Sequence, residues 1–321
     1  IRASLPTINY ALQEGAALIV MSHLGRDPKL SLRVIAERLS QLVGKPVQMA
    51  PPGVGADVKA LAQALQPGQI LLLENLRSNR GEKKPEEEPD FVKELASLGD
   101  LYVNDAFGVS HRKEASVYQI VPFFQGRAAA GFLLEKEAKE LTNLLKNPKK
   151  PFMALVGGAK ISTKMGVLRS LLTQVDTLLI GGAMAYTFFK ARGIPIGNSL
   201  HEEEFMPAAI DLLLTNPTKL LLPVDLVVTQ EVTSNAPHKI VTVQEGIPEG
   251  WEGVDIGPKT VQLFQEKLGL AKTILWNGPV GVFEVPPFDQ GTMAMAHFIA
   301  TLSATTVVGG GDSVAAIQQA G

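Results

Sequence analysis

The chain has 321 residues, of which 45% are hydrophobic and 19% are charged, and its formal net charge is −2. A chain of this length is too long to fold around one hydrophobic core, so two domains are expected. Its hydrophobic content excludes an intrinsically disordered protein. The near-neutral charge argues against a nucleic-acid-binding protein, because such proteins carry an excess of lysine and arginine. Cysteine is absent, which excludes disulfides and thiolate metal sites and fits a cytoplasmic location.

In the first part of the chain, apolar runs rich in branched residues alternate with segments of helical periodicity. The runs predict strands at 17–25, 70–77 and 101–108, and the periodic segments predict helices at 32–44 and 90–100. The charged stretch at 80–90 is typical of a solvated loop.

The same alternation continues in the second part of the chain. Strands are predicted at 151–158, 176–182, 220–228, 272–278 and 305–311. A helical pattern at 132–146, followed by a basic link that contains prolines, predicts a helix between two domains. Regular alternation of strands and helices favours an α/β architecture with parallel sheets. The longest uncharged apolar stretch, residues 177–189, is too short to span a membrane.

The predicted strands of the second part end in glycine. The endings are Gly157-Gly158, Gly181-Gly182, Gly278 and Gly309-Gly310-Gly311. Ligands of open α/β sheets bind beyond the carboxyl ends of the strands, where glycine lets main-chain N–H groups come close to an anion. One glycine ending is equally well explained by an ordinary turn, but four together predict a phosphate-rich ligand. The sequence contains neither a P-loop motif nor a strict G-x-G-x-x-G, which weakens a dinucleotide interpretation.

The strands of the first part end in basic residues instead. These residues are His23, Arg26, Arg77, His111 and Arg112. A single histidine is more often structural than functional. Two histidines near arginines at strand ends, however, favour a site for a small acidic ligand, because the planar arginine side chain recognises carboxylate and phosphate. A phosphate-rich ligand on one domain and an acidic ligand on the other together suggest group transfer.

Six motifs follow one another along the chain: MSHLGR, LLLENLR, YVNDAFG with SHR, VGGAKISTK, WNGPVGVFE and VGGGDS. In their order and spacing the sequence resembles the phosphoglycerate kinase family from Ile1 to Gly321. The resemblance implies two doubly wound, Rossmann-like domains with parallel sheets, joined by an inter-domain helix. The implied parts are a phosphoglycerate-binding domain at 1–130, the helix and linker at 131–147 and a nucleotide-binding domain at 148–321. It also implies that an N-terminal strand and a C-terminal glycine-rich segment of the family fall outside this chain.

The activity implied by the resemblance is reversible phosphoryl transfer between 1,3-bisphosphoglycerate and ADP, which gives 3-phosphoglycerate and ATP in glycolysis. Magnesium would enter as Mg-ADP or Mg-ATP, and no tightly bound organic cofactor is expected. The implied protein is a cytoplasmic monomer that binds small molecules and neither nucleic acid nor membranes. Such a transferase is expected to close its domains about the linking helix before transfer.

The resemblance also assigns site residues. The implied catalytic residues are Lys160, Arg26 and Arg112. The implied phosphoglycerate-binding residues are His23, Leu24, Gly25, Arg26, Arg77, His111 and Arg112. The implied nucleotide-binding residues are Gly158, Lys160, Lys164, Gly182, Asn277, Pro279, Val282, Glu284, Gly310, Gly311, Asp312 and Ser313. Asp312 is also the implied magnesium contact, a role that is compatible with a helix N-cap.

Phosphoryl transfer from an acyl phosphate to ADP needs no general base, because the attacking oxygen is already anionic and the leaving carboxylate needs no proton. It needs positive charge beside the moving group. If a helix begins near Lys160, the four-residue spacing places Lys160 and Lys164 on one face. A solvated helix face is the alternative interpretation, and the preceding glycine pair disfavours it.

Two other functions fit parts of the pattern. A nicotinamide-dependent dehydrogenase would share the α/β pattern, but it should show the strict glycine motif that is missing here. A non-catalytic nucleotide-binding fragment would bind Mg-ADP without transferring a phosphoryl group.

Overall fold

The structure is a computed structural model that describes residues 1–25, 27 and 29–321. It divides into two compact units, Ile1–Thr142 and Asn143–Gly321. The division falls inside a 15-residue helix at Phe132–Lys146, where the sequence predicts an inter-domain helix. The functional domain boundaries themselves stay a prediction. Within the described residues, no helix combines the length and the apolar character that a bilayer crossing requires.

The first unit contains short strands between longer helices. Strands β1 to β5 are Leu18–Val20, Val47–Met49, Ile70–Leu72, Tyr102–Asn104 and Ala128–Ala130. Helices α1 to α6 are Leu5–Gln13, Arg33–Val43, Ala56–Ala64, Arg80–Lys83, Pro89–Ala96 and Phe132–Lys146. Strand β3 lies between β1 and β2 in a parallel sheet, and β4 pairs in parallel with β5. The three predicted strands are therefore present but shorter than predicted, because the polar residues after each apolar run form loops.

Strand β3 is the centre of this unit, and helices cover both of its faces. Leu71 packs in one cluster with Val58 of α3 and Leu95 of α5, whereas Leu72 packs in another with Ala36 of α2. Both leucines are fully buried. Since neighbouring strand residues point to opposite faces, a run that is apolar at every position requires a strand buried on both sides.

The second unit is built on a larger parallel sheet. Strands β6 to β13 are Phe152–Val156, Thr177–Ile180, Leu220–Leu221, Asp225–Thr229, His238–Thr242, Glu252–Ile256, Thr273–Asn277 and Thr305–Gly309. Helices α7 to α12 are Met165–Leu172, Met184–Ala191, Met206–Thr215, Pro258–Leu268, Gln290–Ala300 and Gly311–Ala320. The parallel sheet has the order β13-β12-β6-β7-β8. The predicted α/β architecture with parallel sheets is confirmed.

The prediction of a single strand at 220–228 is wrong. The structure has two strands there: β8 at the edge of the parallel sheet, and β9 at the centre of an antiparallel sheet of order β10-β9-β11. Pro223 lies between β8 and β9, and it cannot donate a main-chain hydrogen bond to a neighbouring strand. The chain changes sheets at this point.

The strand order of the parallel sheet reverses between β6 and β12. From β6 the chain adds β7 and β8 on one side, and it later returns to add β12 and β13 on the other. Such a switch point is where open α/β sheets bind ligands. The Gly157 N–H donates to the Asn277 carbonyl at 3.0 Å, and a Cβ atom on Gly157 would lie 2.0 Å from the Pro279 carbonyl oxygen. Only glycine fits at this position.

Replacing Gly157 by alanine tests this close contact. Gly157→Ala should lower the unfolding free energy of the second unit by more than about 2 kcal/mol, because the new methyl group forces two main-chain segments apart. Urea unfolding followed by tryptophan fluorescence measures the effect, since Trp251 and Trp276 are the two tryptophans of the chain and both lie in the second unit.

Gly166→Ala is the matched control. A Cβ atom there would meet nothing within 4 Å. Alanine at this position of helix α7 should therefore raise the unfolding free energy by up to about 1 kcal/mol. Equal unfolding midpoints for Gly157→Ala and the unsubstituted protein would contradict the tight contact.

Candidate functional site

A buried asparagine organises the loop after β1. The Leu24 N–H donates to Asn75 Oδ1 at 3.1 Å, and Asn75 Nδ2 donates to the Leu24 carbonyl at 3.0 Å. Asn75 is fully buried, so these bonds are shielded from water. A guanidinium nitrogen of Arg77 donates to the Gly25 carbonyl. The structure therefore brings together Leu24, Gly25 and Arg77, whereas Arg26 lies outside the described residues.

His23 pairs with the carboxylate of Glu82, which the sequence analysis did not identify as a site residue. Its Nε2 atom lies 2.8 Å from Glu82 Oε1, and the Glu82 side chain is completely buried. The Ser116 N–H and hydroxyl also donate to Glu82, at 3.2 and 2.6 Å. The prediction of a solvated loop at 80–90 is therefore wrong for Glu82, which is buried and lies in α4. A carboxylate can be buried here because its oxygens receive several hydrogen bonds.

A second carboxylate, Glu114, joins His23 to the other basic residues. Arg112 Nη1 lies 3.2 Å from Glu114 Oε1, and Arg112 Nε lies 3.4 Å from the ring of His111. The other Glu114 oxygen lies 3.8 Å from His23 Nδ1. His23, His111 and Arg112 thus form one cluster, but it is a cluster of mixed charge. Spacing alone gave no sign of Glu82, which is 59 residues from His23 in sequence.

In the second unit, Lys164 lies at the carboxyl edge of the parallel sheet. Its ammonium group donates to Asn277 Oδ1, and Asn277 Nδ2 donates to the Gly309 carbonyl at 2.9 Å. Burial lowers the pKa of Lys164, while the Asp312 carboxylate acts in the opposite direction. These contacts connect Lys164 to the ends of β12 and β13 and to the start of α12.

The segment before α7 is a turn rather than a helix. Helix α7 begins at Met165, and Lys164 is its N-cap residue. The Thr163 hydroxyl donates to the Lys160 carbonyl at 2.9 Å, and such side-chain bonds compete with helix formation. The prediction that Lys160 and Lys164 share a helical face is therefore wrong. Lys160 is exposed, and in the described part of the chain its ammonium group makes no hydrogen bond or ion pair.

Helix α12 begins directly after the last glycine-rich strand. Gly310 is its N-cap residue, with φ of 96°, and Asp312 lies within the first turn and is not the N-cap. The fully buried Ser313 hydroxyl accepts a hydrogen bond from the Gly278 N–H at 2.6 Å. This bond ties α12 to the end of β12. The first N–H groups of a helix have no acceptor within it, so this end is suited to an anion.

The remaining glycine endings pack main chain against main chain. The Gly158 carbonyl accepts from the Met184 N–H at 3.0 Å, and a Cβ atom on Gly182 would lie 2.6 Å from the Gly158 nitrogen. Pro279 contacts Gly157, as described above. Gly158, Gly182 and Pro279 therefore lie together at the switch point of the sheet.

Val282 and Glu284 lie on the loop that follows β12. The Val282 N–H donates to the Val254 carbonyl at 2.8 Å. Glu284 is exposed and, among the described residues, makes no hydrogen bond. Gly311 opens α12, where a Cβ atom would meet nothing within 4 Å. Within the described residues the structure shows no hydrogen bond or ion pair between Glu284 and either Lys160 or Lys164.

A buried aspartate that the sequence analysis missed supports this loop. Asp255 accepts hydrogen bonds from the Gly291 N–H at 2.6 Å and the Ile256 N–H at 2.8 Å. A Cβ atom on Gly281 would lie 2.2 Å from its Oδ1 atom. Burial raises the pKa of Asp255 to about 8 despite these bonds, and Asp289 adds to the rise. It lies in β11, a strand that the sequence analysis did not predict.

Comparison with known proteins identifies relatives of the whole chain. A family model described as phosphoglycerate kinase matches residues 1–321. The phosphoglycerate kinase of Chlamydia felis is 50% identical over 332 residues, which cover 100% of this chain and 82% of the relative. The cytosolic phosphoglycerate kinase of Triticum aestivum is 49% identical over 331 residues, with the same shares of 100% and 82%.

A solved structure extends the comparison to three dimensions. The crystal structure of phosphoglycerate kinase from Pyrococcus horikoshii OT3 matches with a TM-score of 0.84 and 30% identity, covering 100% of this chain and 82% of that one. This match confirms the predicted fold class of two Rossmann-like α/β domains.

The raised pKa of Asp255 predicts a pH-dependent stability. In the unfolded chain the carboxyl releases its proton near the ordinary pKa of 3.8, whereas in the folded protein it keeps the proton up to about pH 8. Between these values the folded state binds more protons, so the unfolding free energy should fall as the pH rises. Urea unfolding at a series of pH values should show this fall, and Asp255→Asn should flatten it.

Glu249→Gln removes an exposed carboxylate of the same unit and should leave the slope unchanged. An identical pH dependence in Asp255→Asn and the unsubstituted protein would disprove the assignment.

Proposed function

Since this chain belongs to the phosphoglycerate kinase family, we propose that its two groups of loop residues bind the two substrates of that family. The reaction is the reversible transfer of a phosphoryl group between 1,3-bisphosphoglycerate and ADP, giving 3-phosphoglycerate and ATP. The chain is a phosphotransferase of glycolysis that acts on small molecules.

The nucleotide site is proposed at the glycine-rich edge of the second unit. The observation that carries this proposal is the linked set of Lys164, Asn277 and Gly309 at the sheet switch point. Exposed N–H groups at the start of α12 suit the phosphates. Glu284, on the loop after β12, is proposed to accept hydrogen bonds from the ribose.

Magnesium is proposed to arrive with the nucleotide. Asp312 supplies an exposed carboxylate at the start of α12, and oxygen ligands are those that Mg²⁺ prefers. Magnesium, when bound, would neutralise phosphate charge, and Lys164 supplies a further positive charge at a position set by its contact with Asn277.

The proposed reaction transfers a phosphoryl group without transferring a proton. An oxygen of the ADP β-phosphate forms a bond to the phosphorus, the bond from phosphorus to the acyl oxygen breaks, and its electron pair stays on the carboxylate. Lys160 is the proposed catalytic residue, because its exposed ammonium group has no competing partner among the described residues. Its positive charge would stabilise the oxygens of the phosphoryl group during transfer.

The phosphoglycerate site is proposed in the first unit, around His23, Arg77, His111 and Arg112, with Arg26 as a further member. The Arg112 side chain is 46% exposed. Since arginine has five N–H donors, its contacts with Glu114 and His111 leave donors available for an anion. Glu82 and Glu114 hold His23 and Arg112 in place.

The alternatives are not favoured. The match to one enzyme family over the whole chain argues against a dehydrogenase. A cytoplasmic location is proposed because the wheat relative is named as cytosolic. A monomer without nucleic-acid or membrane partners stays a prediction.

Removal of the Lys160 charge should reduce catalysis strongly. Lys160→Ala should lower kcat by about 10³ or more, the scale expected when a cation is removed from a phosphoryl transition state. A coupled assay of ATP formation measures the rate. Lys272→Ala is the control, because Lys272 is also exposed but lies before β12 at the other edge of the sheet. A loss of less than about tenfold in a folded Lys160→Ala protein would rule out the assigned role.

Arg112 should act on binding more than on rate. Arg112→Ala should raise KM for 3-phosphoglycerate by about tenfold or more, since a hydrogen bond to a charged group contributes about 1.5–3 kcal/mol. Steady-state kinetics in the direction of ATP consumption gives KM and kcat separately. Lys113→Ala removes the neighbouring exposed charge and should change KM little. Equal KM values in both variants would exclude Arg112 from the phosphoglycerate site.

A further inference from the structure

The turn that carries Lys160 is held by one distant carboxylate. The Ser162 N–H donates to Glu202 Oε2 at 2.9 Å, and the Ser162 hydroxyl donates to Glu202 Oε1 at 2.6 Å. Both oxygens of Glu202 therefore bind the same residue of the turn, although the two residues are 40 positions apart in sequence. No motif in the sequence pointed to Glu202.

Glu202 is in turn fixed to the body of the unit. Its N–H donates to the Thr187 hydroxyl at 3.1 Å, and Thr187 is 1% exposed within α8. Helix α8 begins at Met184, whose N–H donates to the Gly158 carbonyl. The carboxylate thus connects the 160–164 turn to the same packed edge that carries the glycines.

The electrostatic environment of Glu202 is consistent with this contact. Burial acts to raise the pKa of Glu202, but the hydrogen bonds from Ser162 and the positive charge of Lys160 together lower it below the usual value. Lys160 and Glu202 therefore interact through space, while both Glu202 oxygens are occupied by Ser162. No ion pair joins the two side chains in the described part of the chain, so Glu202 does not capture the Lys160 ammonium group.

We propose that Glu202 is a positioning residue for phosphoryl transfer, which fixes the 160–164 turn so that the Lys160 ammonium group stays in place and free to contact the moving phosphoryl group. This inference rests on the role proposed above for Lys160. Nucleotide binding depends on other contacts, those of Lys164 with Asn277 and of α12 with β12. Loss of Glu202 should therefore affect the rate of transfer and leave nucleotide binding nearly unchanged.

The test compares Glu202→Gln with Glu204→Gln in the complete chain. Glu204 is exposed on the adjacent turn, so both substitutions remove one carboxylate charge from the same segment. Glu202→Gln should lower kcat by about tenfold or more, because a displacement of about 1 Å at a reacting group costs up to about a hundredfold. KM for Mg-ADP should change less than about twofold, and Glu204→Gln should leave both constants nearly unchanged.

Ser162→Ala supplies an independent variant that keeps the Ser162 N–H bond to Glu202. It should lower kcat in the same direction by a smaller factor. The double variant, Ser162→Ala with Glu202→Gln, should be no slower than Glu202→Gln alone, since both substitutions disrupt the same contact between Ser162 and Glu202. If Glu202→Gln fails to fold, as judged by its unfolding transition, Ser162→Ala alone decides: an unchanged kcat then overturns the proposal.

Lys160→Ala in the same assay separates two kinds of failure. If it retains kcat, the role proposed for Lys160 fails, and Glu202 has no catalytic group to position. If Lys160→Ala is slow but Glu202→Gln and Ser162→Ala keep the kcat of the unsubstituted protein, only the positioning role of Glu202 is overturned. A rise in KM for Mg-ADP with unchanged kcat would also overturn it.

Discussion

Two main-chain segments of the second unit lie so close together that neither has room for a side chain. A Cβ atom on Gly157 would overlap the Pro279 carbonyl, and one on Gly278 would lie 2.3 Å from the Gly157 carbonyl. This contact joins the ends of β6 and β12, and through Ser313 it also holds helix α12. Asn277 is the last residue of β12, so this contact fixes the strand end from which its side chain accepts a hydrogen bond from Lys164, the N-cap residue of α7.

The two units present charge in different ways. The second unit combines lysines with main-chain N–H groups at strand ends, an arrangement suited to phosphate. The first unit combines basic side chains with two largely buried carboxylates, Glu82 and Glu114. Those carboxylates fix the orientation of His23 and Arg112 and reduce the net positive charge of the cluster. The anion recognition that we propose for this cluster depends on geometry more than on total charge.

The sequence predicted the parts of the structure that depend on local pattern. Apolar runs marked most strands of the parallel sheets but not the short strands β2 and β5, and glycines marked the edge where β6, β7, β12 and β13 end. The antiparallel sheet was missed because β8 and β9 were predicted as one strand across Pro223, and because β10 and β11 contain charged residues among their few apolar ones. Glu82, Glu202 and Asp255 were missed because their partners lie on other elements, and such contacts leave no periodic signal in the chain. Family motifs indicated Lys160 and Arg112, but not Glu202, which binds Ser162 in the turn of Lys160, or Glu114, which pairs with Arg112.

Positive charge and main-chain amides, without an acid or a base, are proposed to suffice for transfer by this protein. Rapid mixing of the enzyme with its substrates in H₂O and in D₂O, under single-turnover conditions, measures whether a proton moves in the transfer step. Equal rates of phosphoryl transfer in the two solvents are expected. A transfer step that slows clearly in D₂O would show that a proton moves with the phosphoryl group, and it would contradict catalysis by Lys160 charge alone.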